Sequence, residues 1–298
     1  MGLRVVSTRF RIRGLDRAFK FLNVFAVWVI LPAVVFFSTT RYYRLNEIVW
    51  FGNALLFGFI SVGACFVSAV AISHLAKDDR KTTIAMALNS AFMNVTYLGF
   101  PAVYAILGPN ALAPAALFAM GVGTLNIIFG TALASSAAKK RLTPRSLATK
   151  VLTFPAVFAL IAALIFIAFQ ARVPSVAIDA FDAYLTMPFF ALMLLLVGYQ
   201  IPLVSPRGYS EELTTVGVLR FIVSPIITFV MILALGLDFS TSLSLKASLV
   251  LSVMPPAVFN IILAHNFKLD DKLYGAIVFY LTLISIFVVL PVIATFML

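Results

Sequence analysis

Charge is scarce in this chain. Of its 298 residues only 11% are Asp, Glu, Lys or Arg, while 62% are hydrophobic; soluble domains run near 25% and 45–50%. The deficit excludes an ordinary soluble globule and predicts an integral membrane protein. Cysteine occurs once, at Cys65, which excludes an intrachain disulfide; in its apolar run it reads as a small packed hydrophobe rather than a nucleophile. Histidine occurs twice, with no His-Glu-x-x-His pattern and no serine nucleophile paired to a histidine on a neighbouring span. Those gaps argue against an intramembrane enzyme, and neither a metal site nor a cofactor is expected. Repeated stretches of about ten alternating residues are also missing, which argues against a transmembrane barrel.

What is present is a series of apolar runs. Nine are long enough to cross a bilayer, near 21–39, 48–75, 82–107, 111–138, 149–171, 184–203, 214–236, 244–266 and 273–297. Bases lie on one side of the resulting topology. Eighteen of the 22 Lys and Arg, counting Arg220 near the inner end of its span, fall on the side of the amino terminus. Opposite lie Arg41, Arg44, Arg172 and Lys246. This positive-inside bias predicts an inner (cytoplasmic) membrane protein with its amino terminus inside and its carboxyl terminus outside. The net charge of +11 is thereby an orientation signal for the lipid bilayer, and no nucleic-acid partner is expected. Tyr42, Tyr43 and Trp50 are expected in an aromatic belt at the outer interface.

Two spans carry polar and helix-breaking residues at depth. The third contains "NVTYLGFP", Asn94 to Pro101, and the eighth "MPPAVFN", Met254 to Asn260. Either alone reads as a kink; the matched positions favour a second reading. The chain divides into a basic tail (1–20), a first repeat (21–138) of four spans broken around 94–101, a basic loop (139–150), and a second repeat (151–298) of five spans broken around 255–260. A five-span unit duplicated in tandem inserts its copies in opposite orientations. The fold class expected is therefore an all-α inverted-repeat transporter bundle with two crossed broken helices, nine transmembrane helices in all, and a binding site where the breaks meet near the midplane.

These residues resemble a known family. "NVTYLGFP" is similar to the N-x-x-x-x-G-x-P signature of the auxin efflux carrier family, which includes plant PIN carriers and bacterial dicarboxylate carriers. "MPPAVFNIILAHNFKLDD", "MPFFALMLLLVGYQIP" and "LNVFAVWVILPAVVFFS" resemble its later and earlier segments, from roughly residue 15 to the carboxyl terminus. The resemblance implies a ten-helix inverted-repeat fold, of which this chain lacks the first helix. It also implies a scaffold part able to pair as a homodimer, and elevator-like transport of small organic anions. Matched residue by residue, Asn94, Gly99 and Pro101 would form the first crossover, and Pro255, Pro256 and Asn260 the second. Asn126 matches an Asn common in the family's fifth helix.

Asn94 and Asn260 are the leading substrate contacts, with two roles open to each amide: donating to a carboxylate, or satisfying backbone that the breaks set free. Thr96 and Ser90 are further candidates for the same cavity, and Asn89 reads as a helix–helix hydrogen bond. All eleven acids fall in loops or at span ends in this topology, so an ion-coupling carboxylate has no obvious place. The function expected is a secondary carrier of a small organic anion. Alternatives are a carrier like the bile acid/sodium symporters, or a non-transporting sensor on the same fold.

Overall fold

A computed structural model describes residues 14–42, 48–138, 155–240 and 242–297, with 143, 145 and 153 besides. Most of the basic tail, nearly all of the 139–150 loop and the side chains of the expected aromatic belt (Tyr42, Tyr43, Trp50) lie outside the described residues. Within them the chain is built of helices: α1 (Leu15–Arg41), α2 (Ile48–Ala76), α3 (Arg80–Ala91), α4 (Val95–Leu107), α5 (Pro109–Ala137), α6 (Pro155–Ala168), α7 (Ser175–Gln200), α8 (Ser210–Ala234), α9 (Leu243–Ser252), α10 (Phe259–Phe267) and α11 (Asp271–Met297). Among the described residues, six are long and apolar enough to cross a membrane: α2 over its Gly52–Ala76 stretch, and α1, α5, α7, α8 and α11 in full. Large apolar side chains such as Phe21, Trp28, Phe158, Phe169 and Phe287 point outward. In a multi-pass membrane protein those are the lipid-facing positions.

The remaining helices are short for physical reasons. The runs at 82–107 and 244–266 are each split, into α3 with α4 and α9 with α10. Among the described residues, the run at 149–171 gives the 14-residue α6, about 21 Å at 1.5 Å per residue against a hydrocarbon core of about 30 Å. Elsewhere the helices outrun the apolar runs. α1 starts at Leu15 and takes in Asp16, Arg17 and Lys20; α7 starts at Ser175 and takes in Asp179 and Asp182. Asp182 forms an ion pair with Arg41 on α1.

Prolines set the shape of the long helices. Five-residue π turns occur at Ala26–Ile30, Val95–Gly99, Asp182–Thr186, Leu219–Val223 and Ser285–Val289. Each is followed two residues later by a proline: Pro32, Pro101, Pro188, Pro225 and Pro291 respectively. Proline lacks the N–H for the i→i−4 bond and its ring crowds that carbonyl, so the preceding turn widens. The π turn Asn126–Gly130 in α5 has no such proline. There Asn126 Oδ1 would lie 2.2 Å from a Cβ at position 130, so a larger residue there would displace the Asn126 amide.

Polar side chains fix the helix starts. The Asp79 carboxylate accepts from Thr82 N at 3.0 Å to cap α3. Asp270 accepts from Lys272 N and Leu273 N at 2.9 and 3.1 Å to cap α11, and Ser242 accepts from Leu245 N to cap α9. α2 lies centrally, packed on α3, α5, α8 and α9, while α6 packs along α1. The core between them is lined by Phe57, Phe92, Phe118, Leu117 and Met193.

Candidate functional site

The two helix interruptions meet. Phe92–Asn94 and Val253–Val258 leave the helical path, and Met93 and Pro256 pair as an antiparallel bridge. Asn94 N donates to Pro255 O at 2.7 Å, and Ala257 N donates to Phe92 O at 2.9 Å. In this pattern Met93 and Pro256 occupy the non-hydrogen-bonded position, so the missing N–H of Pro256 costs nothing. Each break supplies partners for backbone groups the other would strand in hydrocarbon.

Four helix ends are therefore brought together. The starts of α4 and α10 face a cavity of about 560 Å³, lined by Met93 to Tyr97 on one side and by Ala257 to Phe259 on the other. Asn23 and Trp28 of α1 and Asn126 and Thr131 of α5 complete its polar and aromatic walls. No charged residue lines it among the described residues, so its electrostatics come from amides and from the positive ends of two helices. The volume suits one small organic molecule.

Asn94 caps α4: its Oδ1 accepts from Tyr97 N at 3.3 Å. Its Nδ2 is buried, and the structure gives it no hydrogen-bond partner. Thr96 and Asn126 share the cavity wall with it. Asn260 is fully buried and spent on protein: Nδ2 donates to Leu88 O at 3.1 Å, Asn89 Oδ1 at 3.3 Å and Phe92 O at 3.4 Å, and Oδ1 accepts from Asn126 Nδ2 at 3.3 Å. Of its two open roles, the geometry displays the satisfaction of freed backbone. Asn89 makes the interhelical bond expected of it and also donates to Ala85 O at 2.9 Å.

The other named residues stand apart from the cavity. Ser90 is fully buried and contributes its carbonyl to Arg220 at 3.1 Å. Gly99 lies within the widened turn, at an ordinary helical φ of −64°; a Cβ there would sit 2.6 Å from Leu251 Cδ2. At this glycine α4 packs closely on the Leu251 side chain of α9. Pro101 is in the first turn of the regular helix and lines a separate apolar cavity of about 390 Å³ with Leu98, Leu194 and Phe279. The extended segment is thus at 92–94, and Gly99 and Pro101 shape the turn that follows it. Pro255 and Pro256 form the bridge itself.

Further residues gather at this site. Arg220, inside the widened turn of α8, is fully buried and donates to Met254 O (3.1 Å), Ser90 O (3.1 Å) and Ser252 O (2.5 Å). Its position within "VGVLRFIVSP", apolar on both sides, was the available signal. Asn23 of α1 accepts from Tyr97 OH at 2.7 Å and from Gln200 Nε2 at 3.1 Å. This three-helix contact lies where the main cavity adjoins a second, of about 580 Å³, lined by Asp16, Lys20, His265, Asp271 and Lys272. His265 Nδ1 and Asp271 Oδ2 are 3.1 Å apart at its rim.

Comparison with known proteins agrees with this architecture. The family described as "membrane transport protein" matches residues 15–293. An uncharacterized transporter of Methanocaldococcus jannaschii is 23% identical over 279 residues, covering 91% of this chain and 87% of that protein. With two paired helix breaks carrying the signature residues and a family match over nearly its whole length, this chain belongs to the membrane transport protein family, the auxin efflux carrier family of multi-pass membrane transporters.

Proposed function

We propose that this transporter is a secondary carrier for a small organic anion such as a carboxylate, bound in the 560 Å³ cavity at the paired breaks. The observation that carries the reading is the Asn94 amide. A buried donor without a partner costs about 1–3 kcal/mol, and this one stands at the start of α4 in a cavity with no fixed charge. A carboxylate placed there takes up that donor and the positive ends of α4 and α10. Thr96 and Asn126 offer further polar contacts, and Trp28 and Phe259 an apolar wall.

In this reading α3–α4 and α9–α10 are the crossed elements of an inverted repeat of nine spans, with the amino terminus inside the cytoplasmic membrane. The anion crosses as the crossed elements move, elevator-like, against the scaffold. The scaffold helices are the place for a homodimer contact. The Asn23–Tyr97–Gln200 contact separates the cavity from the more charged vestibule and opens to admit substrate.

The test is uptake of labelled mono- and dicarboxylates into proteoliposomes. Saturable uptake that is lost in Asn94→Ala, with the variant still folded, is the expected result. Wild-type uptake by that variant removes Asn94 from the site. Saturable binding with no flux in the wild-type protein favours a sensor on the same fold, and uptake that requires sodium favours a carrier like the bile acid/sodium symporters.

A further inference from the structure

Arg220 is a buried cation without a carboxylate partner among the described residues; its acceptors are three main-chain carbonyls and two sulfur atoms, Cys65 Sγ at 3.8 Å and Met93 Sδ at 3.4 Å. Burying an unpaired charge costs several kcal/mol, so those acceptors must supply a compensating negative potential. Their positions explain how. Ser90 is in the last turn of α3 and Ser252 is the last residue of α9; Met254 follows in the second break. A helix carboxyl end carries roughly half a negative charge. Two such ends converge on one guanidinium, and the local charge closes near zero.

The same two ends would otherwise need another cation. Carbonyls of interrupted helices and half-helix carboxyl ends are the groups that hold coupling ions in inverted-repeat carriers. Here they are occupied by a side chain. More oxygens are close by: Ser224 Oγ donates to Ser252 O at 2.8 Å and lies 2.6 Å from Ser61 Oγ, and the buried Ser90 hydroxyl has no hydrogen-bond partner. Pro225 sets the register, because the turn it widens, Leu219–Val223, is the one that presents Arg220.

We propose that the Arg220 guanidinium is a built-in cation, permanently filling the place between the α3 and α9 carboxyl ends where a coupling sodium ion would be held. Arg220 is a positioning residue: it does not itself line the cavity, touches the lining residue Met93 at Sδ, and acts through the backbone of both breaks. The inference deepens the carrier reading, on which its transport consequence rests. The anion site needs no sodium to assemble, and removing the guanidinium leaves an oxygen-rich site with a net negative potential that selects a small hard cation.

The experiment is thermal unfolding of the purified protein, without added carboxylate, in sodium chloride against choline chloride at equal ionic strength. Wild type and Arg220→Lys are expected to melt alike in both salts. Arg220→Ala is expected to melt lower in choline and to rise saturably by a few degrees with sodium. A saturable sodium shift in wild type overturns the proposal, and so does an Arg220→Ala variant that folds and is as indifferent to sodium as wild type. Should Arg220→Ala fail to fold, wild type and Arg220→Lys decide. Indifference in both supports a resident cation, and a saturable sodium shift in either overturns it. Carboxylate binding measured in choline alone tests the anion reading separately, so the two can fail independently.

Discussion

The backbone N–H of Asn94 donates to the carbonyl of Pro255 at 2.7 Å, joining two helix interruptions from opposite halves of the chain. The side chain of the same asparagine is in the cavity lining, and its buried Nδ2 has no hydrogen-bond partner. One residue thus holds the breaks together through its main chain and keeps an amide donor that no protein group takes up.

Replacing Asn94 by Ala keeps the main-chain bond and removes the amide. Hydrogen bonds to a charged group are worth about 1.5–3 kcal/mol, so carboxylate affinity is expected to fall about 10- to 100-fold, while loss of the Oδ1 cap on α4 costs about 1 kcal/mol and lowers the melting temperature by a few degrees. Isothermal titration of the purified variant measures both the loss and its specificity.

Asn260→Ala acts first on stability. It leaves the Asn126 Nδ2 donor and the Asn89 Oδ1 acceptor without the partner that Asn260 gives them, while Leu88 O and Phe92 O keep their bonds from Phe92 N and Ala257 N. At about 1–3 kcal/mol for each buried group left unpaired, a loss of several degrees in melting temperature is expected even without ligand. A variant that melts like wild type contradicts this structural role.

Gly99→Ala pushes a methyl to within 2.6 Å of Leu251 Cδ2, and overpacking of this kind costs about 1–3 kcal/mol. The cost should shrink in a Leu251→Ala background, where the clash is gone. A double-mutant cycle on melting or chemical denaturation checks the coupling; additive losses would mean that α4 and α9 are not in contact at this point.

Asp79 lies in the loop before α3, and its bonds with the Thr82 hydroxyl and backbone N–H hold its carboxyl below the ordinary carboxylate value. A depressed folded-state value means the cap stabilises above the unfolded pKa of about 3.9. That contribution is lost as the pH falls through the folded value. Asp79→Ala is expected to cost about 1 kcal/mol or less at neutral pH, since the cap is exposed, and the gap from wild type should close in acid below about pH 4. Melting curves across pH in detergent test this.

The sequence carried the class of the protein and the location of its oddities. Asn, Gly and Pro in an apolar run conflict with a lipid-embedded helix, so "NVTYLGFP" and "MPPAVFN" stood out locally. The course of the spans was less legible, because hydropathy sums a run without seeing that 82–107 and 244–266 are each two helices. Five π turns end two residues before a proline, though other prolines, such as Pro114 in α5, have no such turn before them. The Asn126–Gly130 turn has no such mark. Arg220, counted among the inner-end bases, was marked by the apolar residues on both sides of it, but its carbonyl partners lie far off in the chain.

By itself, then, the amino-acid sequence determined an all-helical multi-pass membrane protein of a transporter family with two interrupted helices, since apolar length and helix-breaking residues are local properties. Only the tertiary structure decided which partners satisfied the interruptions. Phe92 and Asn94 bond to Ala257 and Pro255, Asn260 is spent on α3 carbonyls, Asn94 keeps a spare donor, and Arg220 closes both carboxyl ends. Those pairings join residues distant in the chain, and in a medium without water every stranded polar group must find such a partner.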